Sequence, residues 1–436
     1  MRFELINDDC RNVLACMADD SVDSVVTDPP YHLTSIVKRF GPGAKAARFG
    51  TNGAFSRASR GFMGQEWDGG DIAFDPSLWA EILRVLKPGG HVAAFGGSRN
   101  FHRMACAIED SGYEIRDEIL YEFDAAPDAA LFMESLTPDQ ADAFARLLDL
   151  GQFNGLLAWV YASGMPKALD VAKAGGNPAF EGWKSAIKPA HEPIYLARKP
   201  LVGSIADNMA RYGVGALNVD ACRIDAPDGV PVFTKEGARP GTVFSVGSNR
   251  TGDSSFAGRF PSNVVHSGDP AIVAAFPKAK SGGGPKPGTP RTQQAVYGAP
   301  TVSESPAYGS STGSAARFFY CAKASNRDRD EGCEALRKQP AGMVSETSGR
   351  HVSGADVADR ANIHPTVKPT SLMRWLVRLI TPPGGTVFDP FTGSGSTGKA
   401  ALLEGARFIG AEMTADYIPI ATARLQHAAG LTGQSC

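Results

Sequence analysis

Four consecutive residues early in the chain, Asp28, Pro29, Pro30 and Tyr31, combine groups that could bind a planar nitrogen base. They follow the apolar run 22–27, which predicts a buried strand, and open α/β sheets place their ligands beyond such strand ends. The two prolines stiffen the turn and lack N–H donors, so carbonyl oxygens are left free to accept. The Asp28 carboxylate and the Pro29 carbonyl could each accept one hydrogen from an exocyclic NH2 group. Tyr31 could stack on the ring, as enzymes that extrude a base from a duplex require.

A second stretch, "FDPFTGSGSTGKAALLEG", reads as a strand end, a glycine loop and the start of a helix. It contains the G-x-x-x-x-G-K spacing of a phosphate-binding loop, but Ala400 stands where that loop needs Ser or Thr to bind magnesium. Asp389 at the strand end would also repel a triphosphate. The loop therefore predicts a ligand that is cationic or carries an amine, with close backbone approach at Gly393 and Gly395. Glu412, at the end of the next strand, is placed to meet ribose hydroxyls.

The hydrophobic pattern around these motifs predicts alternating strands and helices. The strand 22–27 is followed by the helix "SLWAEILRVLKPGG", which has apolar residues at Leu78, Ile82, Leu83, Val85 and Leu86 and closes at Pro88-Gly89-Gly90. The strand "HVAAFGG" and the helix "FHRMACAIEDSGY" come next. Near the C-terminus, "SLMRWLVRLI" predicts a helix, residues 386–389 and 407–412 predict strands, and a last helix begins at Asp416. Strand, helix and strand joined by short turns indicate right-handed parallel crossovers, and hence an α/β fold.

The composition is that of a globular protein with a hydrophobic core: 436 residues, 43% hydrophobic and 21% charged, with a net charge of -2. No apolar run is long enough to span a bilayer, and the first residues lack a signal-peptide core. The seven cysteines contain no C-x-x-C pair, which argues against a zinc ribbon and against a disulfide framework. A cytoplasmic location is therefore expected, and no membrane partner.

Two regions depart from the α/β rhythm. Residues 122–156 are acidic, and "TPDQADAFARLLDL" has a Thr-x-x-Gln capping box, which predicts an inserted helix with a solvated face. Residues 201–355 are rich in Gly, Ser, Pro and Thr and predict loops. Residues 198–340 carry a modest excess of Lys and Arg, the sign expected of a surface that faces phosphates, although an ordinary mixed surface explains it equally well.

Four stretches resemble the amino-group DNA methyltransferases, which methylate adenine N6 or cytosine N4 with S-adenosylmethionine. They are "INDDCRNVLACMADDSVDSVVTDPPY", "NIHPTVKPTSLMRWLV", "VFDPFTGSGSTGKAALLEG" and "RFIGAEMTADYIPIATARL"; "HEPIYLARKP" and "SGMPKALDVAKA" are similar more loosely. The catalytic motif precedes the cofactor loop, which is the order of the permuted β-group. The resemblance implies a Rossmann-like methyltransferase fold with a mostly parallel sheet, helices on both faces, a circularly permuted motif order and an inserted target-recognition region.

The resemblance also assigns the site residues and the partners. It places Asp28, Pro29, Pro30 and Tyr31 at the target amino group. The cofactor-binding residues that it implies are Asp9, Cys10, Thr366, Lys368, Asp389, Pro390, Phe391, Gly393, Ser394, Gly395 and Glu412. S-adenosylmethionine would leave as S-adenosylhomocysteine, and no metal is predicted. The expected substrate is double-stranded DNA in a bacterium or a phage-infected cell, with a homodimer and a cognate restriction endonuclease as further partners.

This resemblance divides the chain into five parts. They are the catalytic half with the Asp-Pro-Pro-Tyr motif (1–121), the acidic helical insertion (122–156), the return to the catalytic sheet (157–200), the loop-rich target-recognition region (201–355) and the cofactor-binding half (356–436).

Other interpretations remain open from the sequence. Cytosine N4 also presents an NH2 group, although an aspartate at the start of the tetrapeptide favours adenine within this resemblance. Methylation of RNA or of a protein amide is disfavoured, because those enzymes more often begin the motif with Asn. An ATP-dependent enzyme conflicts with Ala400, and a non-catalytic DNA-binding module leaves Asp28 unexplained. His191 and Glu192 are interpreted as a satisfied pair at a strand end, and Lys399 is given no role.

Overall fold

The computed structural model describes most of the two ends of the chain and parts of its middle. The described residues are 2–31, 71–115, 155–160, 181, 191–225, 258–276, 278–281, 290–293, 301–304, 311–322, 326–340 and 359–433. Over these ranges, none of the helices has the length and apolar character needed to cross a lipid bilayer.

Sixteen strands lie within the described residues, and ten of them form one sheet. In chain order they are β1 (Phe3–Ile6), β2 (Val22–Thr27), β3 (Leu86–Phe95), β4 (Glu114–Ile115), β5 (Gly155–Val160), β6 (His191–Arg198), β7 (Val264–His266), β8 (Lys278–Ser281), β9 (Pro290–Gln293), β10 (Thr301–Glu304), β11 (Ser311–Ser314), β12 (Tyr320–Cys321), β13 (Gln339–Pro340), β14 (Asp359–Arg360), β15 (Thr386–Asp389) and β16 (Arg407–Ala411). The other six form three small two-stranded sheets.

Nine α-helices accompany these strands in the same ranges. They are α1 (Cys10–Cys16), α2 (Pro76–Val85), α3 (Phe101–Asp110), α4 (Ile205–Tyr212), α5 (Pro270–Ala275), α6 (Asn326–Asp330), α7 (Thr370–Ile380), α8 (Ser396–Leu403) and α9 (Ile418–Gly433). Short 3-10 turns occupy Ile72–Phe74, Asp220–Cys222, Ala315–Phe318 and Ala415–Tyr417.

The order of the large sheet is β1-β16-β15-β2-β3-β6-β5-β7-β12, with β4 beside β6. All neighbours are parallel except those of β6, which runs antiparallel to β3, β4 and β5. The carboxyl ends of β1, β16, β15, β2 and β3 therefore share one edge of the sheet, together with the amino end of β6. The two chemical motifs follow β2 and β15, which are adjacent, so the sheet brings them together.

Alternate residues of the central strands pack into cores on opposite faces of the sheet. Val25 belongs to the core beneath α1, α2 and α3, whereas Val26 belongs to the core beneath α7, α8 and α9. Helix α2 shows how such a helix is specified: Asp75 caps it by accepting from the Ser77 N–H, and Leu78, Trp79, Ile82 and Val85 are buried along one side. The mostly parallel sheet with helices on both faces confirms the predicted fold class.

Most predicted elements are present, with one correction. Pro88, Gly89 and Gly90 were predicted to close a helix by a turn, but they lie inside β3. The reason is hydrogen bonding: Gly89 N–H donates to the Lys199 carbonyl at 3.1 Å, and Lys199 N–H donates to the Gly90 carbonyl at 2.9 Å. Gly89 has φ of 80°, and the register between β2 and β3 shifts around it, between the pairs Val22–Leu86 and Ser24–His91.

Two predicted regions are described only in part. The acidic helix predicted within 122–156 lies outside the described residues, apart from 155 and 156, which begin β5. The stretch "SGMPKALDVAKA" also lies outside the described residues. The loop-rich region 201–355 contributes β7 and β12 to the large sheet, in addition to helices α4, α5 and α6.

Candidate active site

A cavity of about 350 Å³ opens at the shared edge of the sheet. It is lined by residues from both chemical motifs, which are far apart in the sequence. All of the predicted site residues except Gly395 line it: Asp9, Cys10, Asp28, Pro29, Pro30, Tyr31, Thr366, Lys368, Asp389, Pro390, Phe391, Gly393, Ser394 and Glu412. The predicted catalytic and cofactor halves therefore meet at one site.

The turn after β2 presents a carboxylate oxygen that the rest of the described protein leaves unpaired. Asp28 Oδ2 lies 3.0 Å from the Lys368 ammonium nitrogen. The other oxygen, Asp28 Oδ1, is buried and has no hydrogen-bond partner among the described residues. An unsatisfied buried acceptor is costly, so it indicates a site that a ligand N–H completes.

Tyr31 is held in place from two sides. Its hydroxyl accepts from the Lys368 ammonium at 3.0 Å, and its carbonyl accepts from the Asn100 side chain. Its ring lies against Gly97, where an added Cβ would come within 3.3 Å of it. The aromatic face is therefore fixed at the wall of the cavity.

Lys368 is 5% exposed, and its ammonium nitrogen also lies 3.0 Å from Glu192 Oε2. It further lies 4.7 Å from the centroid of the Phe95 ring. Burial by itself lowers the pKa of Lys368, but the charges of Asp28 and Glu192 outweigh it, so the pKa lies above its usual range and the group stays charged.

Asp389 ends β15 and is 2% exposed. Its Oδ1 accepts from the Thr27 hydroxyl at 2.7 Å and from the Phe391 N–H at 3.0 Å. Burial raises the pKa of Asp389 to about 6, although these hydrogen bonds and one from Thr397 act in the opposite direction. A cation bound nearby would favour the ionised form.

Two further acids line the same part of the cavity. Glu412 accepts from the Gly393 N–H at 2.7 Å and from the Thr414 N–H at 2.6 Å, and burial nevertheless raises its pKa. Asp9 caps α1 by accepting from the Arg11 N–H at 2.9 Å. With Asp389, these side chains form a set of acceptors suited to a ligand rich in N–H and O–H donors. Within the described ranges, no group of three or more His, Cys, Asp or Glu side chains is arranged to hold a metal ion.

The loop glycines contact protein atoms. Gly393 has φ of 53°, and an added Cβ would lie 2.7 Å from the Nε2 atom of His364. Gly395 has φ of 78° and is not among the residues that line the cavity, and an added Cβ would lie 3.2 Å from the Cα atom of Ala421 in α9. This glycine allows the loop to pack on a helix, and its predicted contact with the ligand stays a prediction.

Lys399 does not face the cavity as a phosphate-binding lysine would. It is 1% exposed, and its ammonium nitrogen lies 2.7 Å from Asp328 Oδ1 and 2.8 Å from Glu331 Oε2. Arg424 donates to the Ser394 carbonyl at 2.7 Å from the same side. Lys399 thus has a structural role that the sequence did not reveal, and the loop lacks the cation that a triphosphate needs.

Several lining residues were not predicted. Glu192 was interpreted as part of a pair with His191, but it lines the cavity and pairs with Lys368, while His191 is exposed. His364 also lines the cavity; burial, and next the charge of Arg329, lower its pKa to about 3. A carboxylate at the start of an otherwise buried strand was the available signal for Glu192. No comparable signal marked His364.

The fold and this site are those of a DNA-modifying methyltransferase class. A protein-family model described as DNA methylase (N6_N4_Mtase) matches residues 22–423. Because that match covers most of the chain, the protein belongs to the N6/N4 DNA methylase family.

Individual relatives match over shorter stretches. The chain is 40% identical over 67 residues to DNA adenine methyltransferase YhdJ of Escherichia coli (strain K12), which is 15% of this chain and 23% of that protein. It is 32% identical over 141 residues to Type II methyltransferase M.HindIII of Haemophilus influenzae, which is 32% of this chain and 36% of that protein. The chain thus spans about a quarter to a third of the length of these relatives. The solved structure of PvuII DNA methyltransferase (cytosine-N4-specific) aligns with 97% of this chain and 86% of its own, at 12% identity and a TM-score of 0.41.

Proposed function

We propose that this protein is a site-specific DNA methyltransferase that transfers a methyl group from S-adenosylmethionine to the exocyclic N6 of a flipped-out adenine. The observation that carries the proposal is Asp28 Oδ1, a buried acceptor without a partner among the described residues, in the cavity that the glycine loop also lines. An amino group brought into this cavity would complete the unpaired acceptor.

The acceptors on the loop side fit S-adenosylmethionine. This ligand carries an ammonium group, ribose hydroxyls and an adenine amine, and it has no phosphate. Asp389 would hold the ammonium group, Glu412 the ribose hydroxyls and Asp9 the adenine end, while Lys399 is already engaged by two carboxylates. When bound, S-adenosylmethionine supplies an electrophilic methyl carbon.

The chain's own residues would prepare the amino group of the base. The lone pair of that nitrogen is delocalised into the ring, which makes it a weak nucleophile. Hydrogen bonds to Asp28 Oδ1 and to the Pro29 carbonyl would localise the pair, and Tyr31 would fix the ring by stacking. Positioning and electrostatics therefore carry the contribution of the protein, and no cysteine is needed as a nucleophile.

The substrate class rests on the family and on two relatives. Membership of the DNA methylase family supports double-stranded DNA, and the E. coli relative is named as an adenine enzyme. M.HindIII is named as a type II methyltransferase, which supports a role in a bacterial restriction-modification system with a cognate endonuclease in the cytoplasm. A homodimer is proposed on the resemblance alone.

The test combines the purified protein, S-adenosylmethionine labelled in its methyl group and unmethylated bacterial genomic DNA, followed by digestion to nucleosides. We expect the label in N6-methyladenine, and none from an Asp28→Ala variant that retains the wild-type melting temperature. Label in N4-methylcytosine would overturn the choice of base. Absence of label with the wild-type protein would overturn the proposal, and full activity of Asp28→Ala would overturn the role of that residue.

A further inference from the structure

We propose that Lys368 and Glu192 form a positioning pair for Asp28, so that Lys368 serves the catalytic turn and does not bind the cofactor. This inference rests on the proposed function. It concerns two residues that the motif of the turn does not contain: Lys368 precedes α7, and Glu192 is the second residue of β6.

The first argument is the number of contacts made by the ammonium group. An ammonium carries three N–H donors. Lys368 Nζ has three oxygen atoms at 3.0 Å: Asp28 Oδ2, Glu192 Oε2 and the Tyr31 hydroxyl. The Tyr31 hydroxyl accepts a hydrogen bond and the two carboxylates pair with the ammonium by charge, so all three contacts lie on the catalytic side of the cavity.

The second argument is the orientation that these contacts impose on Asp28. Because Lys368 engages Oδ2, the carboxylate cannot turn freely, and Oδ1 is the oxygen left without a partner. The same ammonium holds the Tyr31 hydroxyl, so one cation fixes both the acceptor for the amino group and the aromatic face. A fixed carboxylate loses less entropy when the base binds.

The third argument explains why a second acid is present. Lys368 is almost fully buried, and a buried charge is stable only when it is paired and hydrogen-bonded. Glu192 supplies the second charge from the amino end of β6, the antiparallel strand, and is held 3.0 Å away. With Glu192 present, two carboxylates balance the charge of Lys368, and Asp28 does not have to do so alone.

The experiment measures kcat and the dissociation constant for S-adenosylmethionine in Glu192→Gln and in Lys368→Met. We expect kcat at saturating DNA and S-adenosylmethionine to fall on the order of 10- to 100-fold in both. In Lys368→Met, Asp28 loses the cation at Oδ2, and in Glu192→Gln the charge of Lys368 is left to Asp28 alone, which shifts the carboxylate. The dissociation constant should stay within about twofold, because no donor of Lys368 serves the cofactor. Glu404→Gln is the matched control: Glu404 is similarly shielded and paired with Arg374 and Arg378 away from the cavity, so its kcat should not change.

Removing one member of a buried pair can prevent folding, so the double variant Glu192→Gln/Lys368→Met is included. It leaves no unpaired lysine and should fold, yet it should show the same loss of kcat. Unchanged kcat in the folded variants would overturn the inference, as would a weakened affinity for S-adenosylmethionine with normal kcat at saturation. Failure of the proposed function looks different, since the wild-type protein would then methylate nothing.

Discussion

The buried carboxyl group of Asp389 makes the stability of the folded protein depend on pH. Its carboxyl group has a pKa of about 6 in the folded protein against an ordinary value of 3.8, because burial disfavours the charge. Between these two values the folded state binds more protons than the unfolded state, so stability decreases as the pH rises from about 4 to 6. Above that range the folded protein bears the full cost of a buried carboxylate, unless a cation lies beside it.

We therefore expect Asp389→Asn to stabilise the ligand-free protein at pH 7.5 by up to about 3 kcal/mol, and at pH 4.5 by only about 1 kcal/mol. Asparagine keeps an oxygen that can accept from Thr27 and from the Phe391 N–H. Urea unfolding at the two pH values measures the difference. An effect of equal size at both values would show that burial of the charge is not its cause.

Binding of S-adenosylmethionine should respond with the opposite sign. If Asp389 holds the ammonium group as proposed, it must be ionised to do so, and the affinity of the wild-type protein should fall as the pH drops below about 6. Asp389→Asn should bind weakly at every pH and show a flatter profile. Calorimetric titration of both proteins between pH 5 and pH 8 provides the comparison.

The turn from β15 into α8 depends on the backbone at Gly395. Its φ of 78° is unfavourable for a side chain, and Ala421 of α9 lies 3.2 Å from where a Cβ would stand. We expect Gly395→Ala to lose about 2–3 kcal/mol of stability in urea unfolding, from backbone strain and from displacement of α9.

Gly405 offers a matched control for that substitution. It has φ of 77°, but nothing lies within 4 Å of an added Cβ. Gly405→Ala should therefore lose only the conformational part, about 1 kcal/mol. Equal losses in the two variants would show that the packing of the loop against α9 contributes nothing.

Local sequence patterns predict a helix or strand well when the burial of its own residues determines the element. The helix found over 76–85 is predicted from apolar periodicity, because it buries one face. The strand 22–27 is predicted from its apolar run, because all six of its residues are buried. The turn predicted at residues 88–90 is wrong because its backbone hydrogen bonds go to Lys199, which directly follows β6 and is distant in the sequence. The antiparallel direction of β6 depends on the path of the intervening chain, which no local pattern records.

The site residues also fall into two groups, those that local patterns predict and those that they do not. The Asp-Pro-Pro-Tyr turn and the glycine loop are contiguous motifs, so their residues are found from the sequence, and nearly all of them line the cavity. Glu192 and the role of Lys399 are missed because each acquires its meaning from a partner that is distant in the sequence. The Lys399 ammonium, for example, pairs with Asp328 and Glu331, which lie in a region that was predicted to form loops.

The two motifs lie near opposite ends of the chain, and pairing between N-terminal and C-terminal strands brings them together. β1 pairs with β16 and β2 with β15, so the N-terminal catalytic strands lie beside the C-terminal cofactor strands. Helix α6 adds a third segment, from within the region predicted to recognise DNA. Through Asp328 and Glu331 it reaches the buried Lys399 of α8, directly behind the glycine loop.

Asp328 is the centre of that attachment. It accepts from Lys399 at 2.7 Å and from the Thr370 N–H at 2.6 Å, and the Thr370 hydroxyl donates to it as well. Burial raises its pKa, but the hydrogen bonds from Lys399 and Thr370 outweigh that effect and keep the pKa below its usual value. The carboxylate therefore links α6, α7 and α8 as an anion at neutral pH.

We expect Asp328→Ala to lose about 3–5 kcal/mol of stability in urea unfolding, because it removes one partner of an almost fully buried lysine. Asp220→Ala is the control, since Asp220 pairs with Arg223 at 2.8 Å at the surface and should lose no more than about 1 kcal/mol. If Asp328 also holds the glycine loop in place, Asp328→Ala should weaken the binding of S-adenosylmethionine at temperatures where the variant is still folded. Asp328 is not among the residues that line the cavity, so such an effect would act through the loop. A loss of stability as small as that of Asp220→Ala would mean that the Asp328–Lys399 pair contributes little, and that the glycine loop keeps its conformation without it.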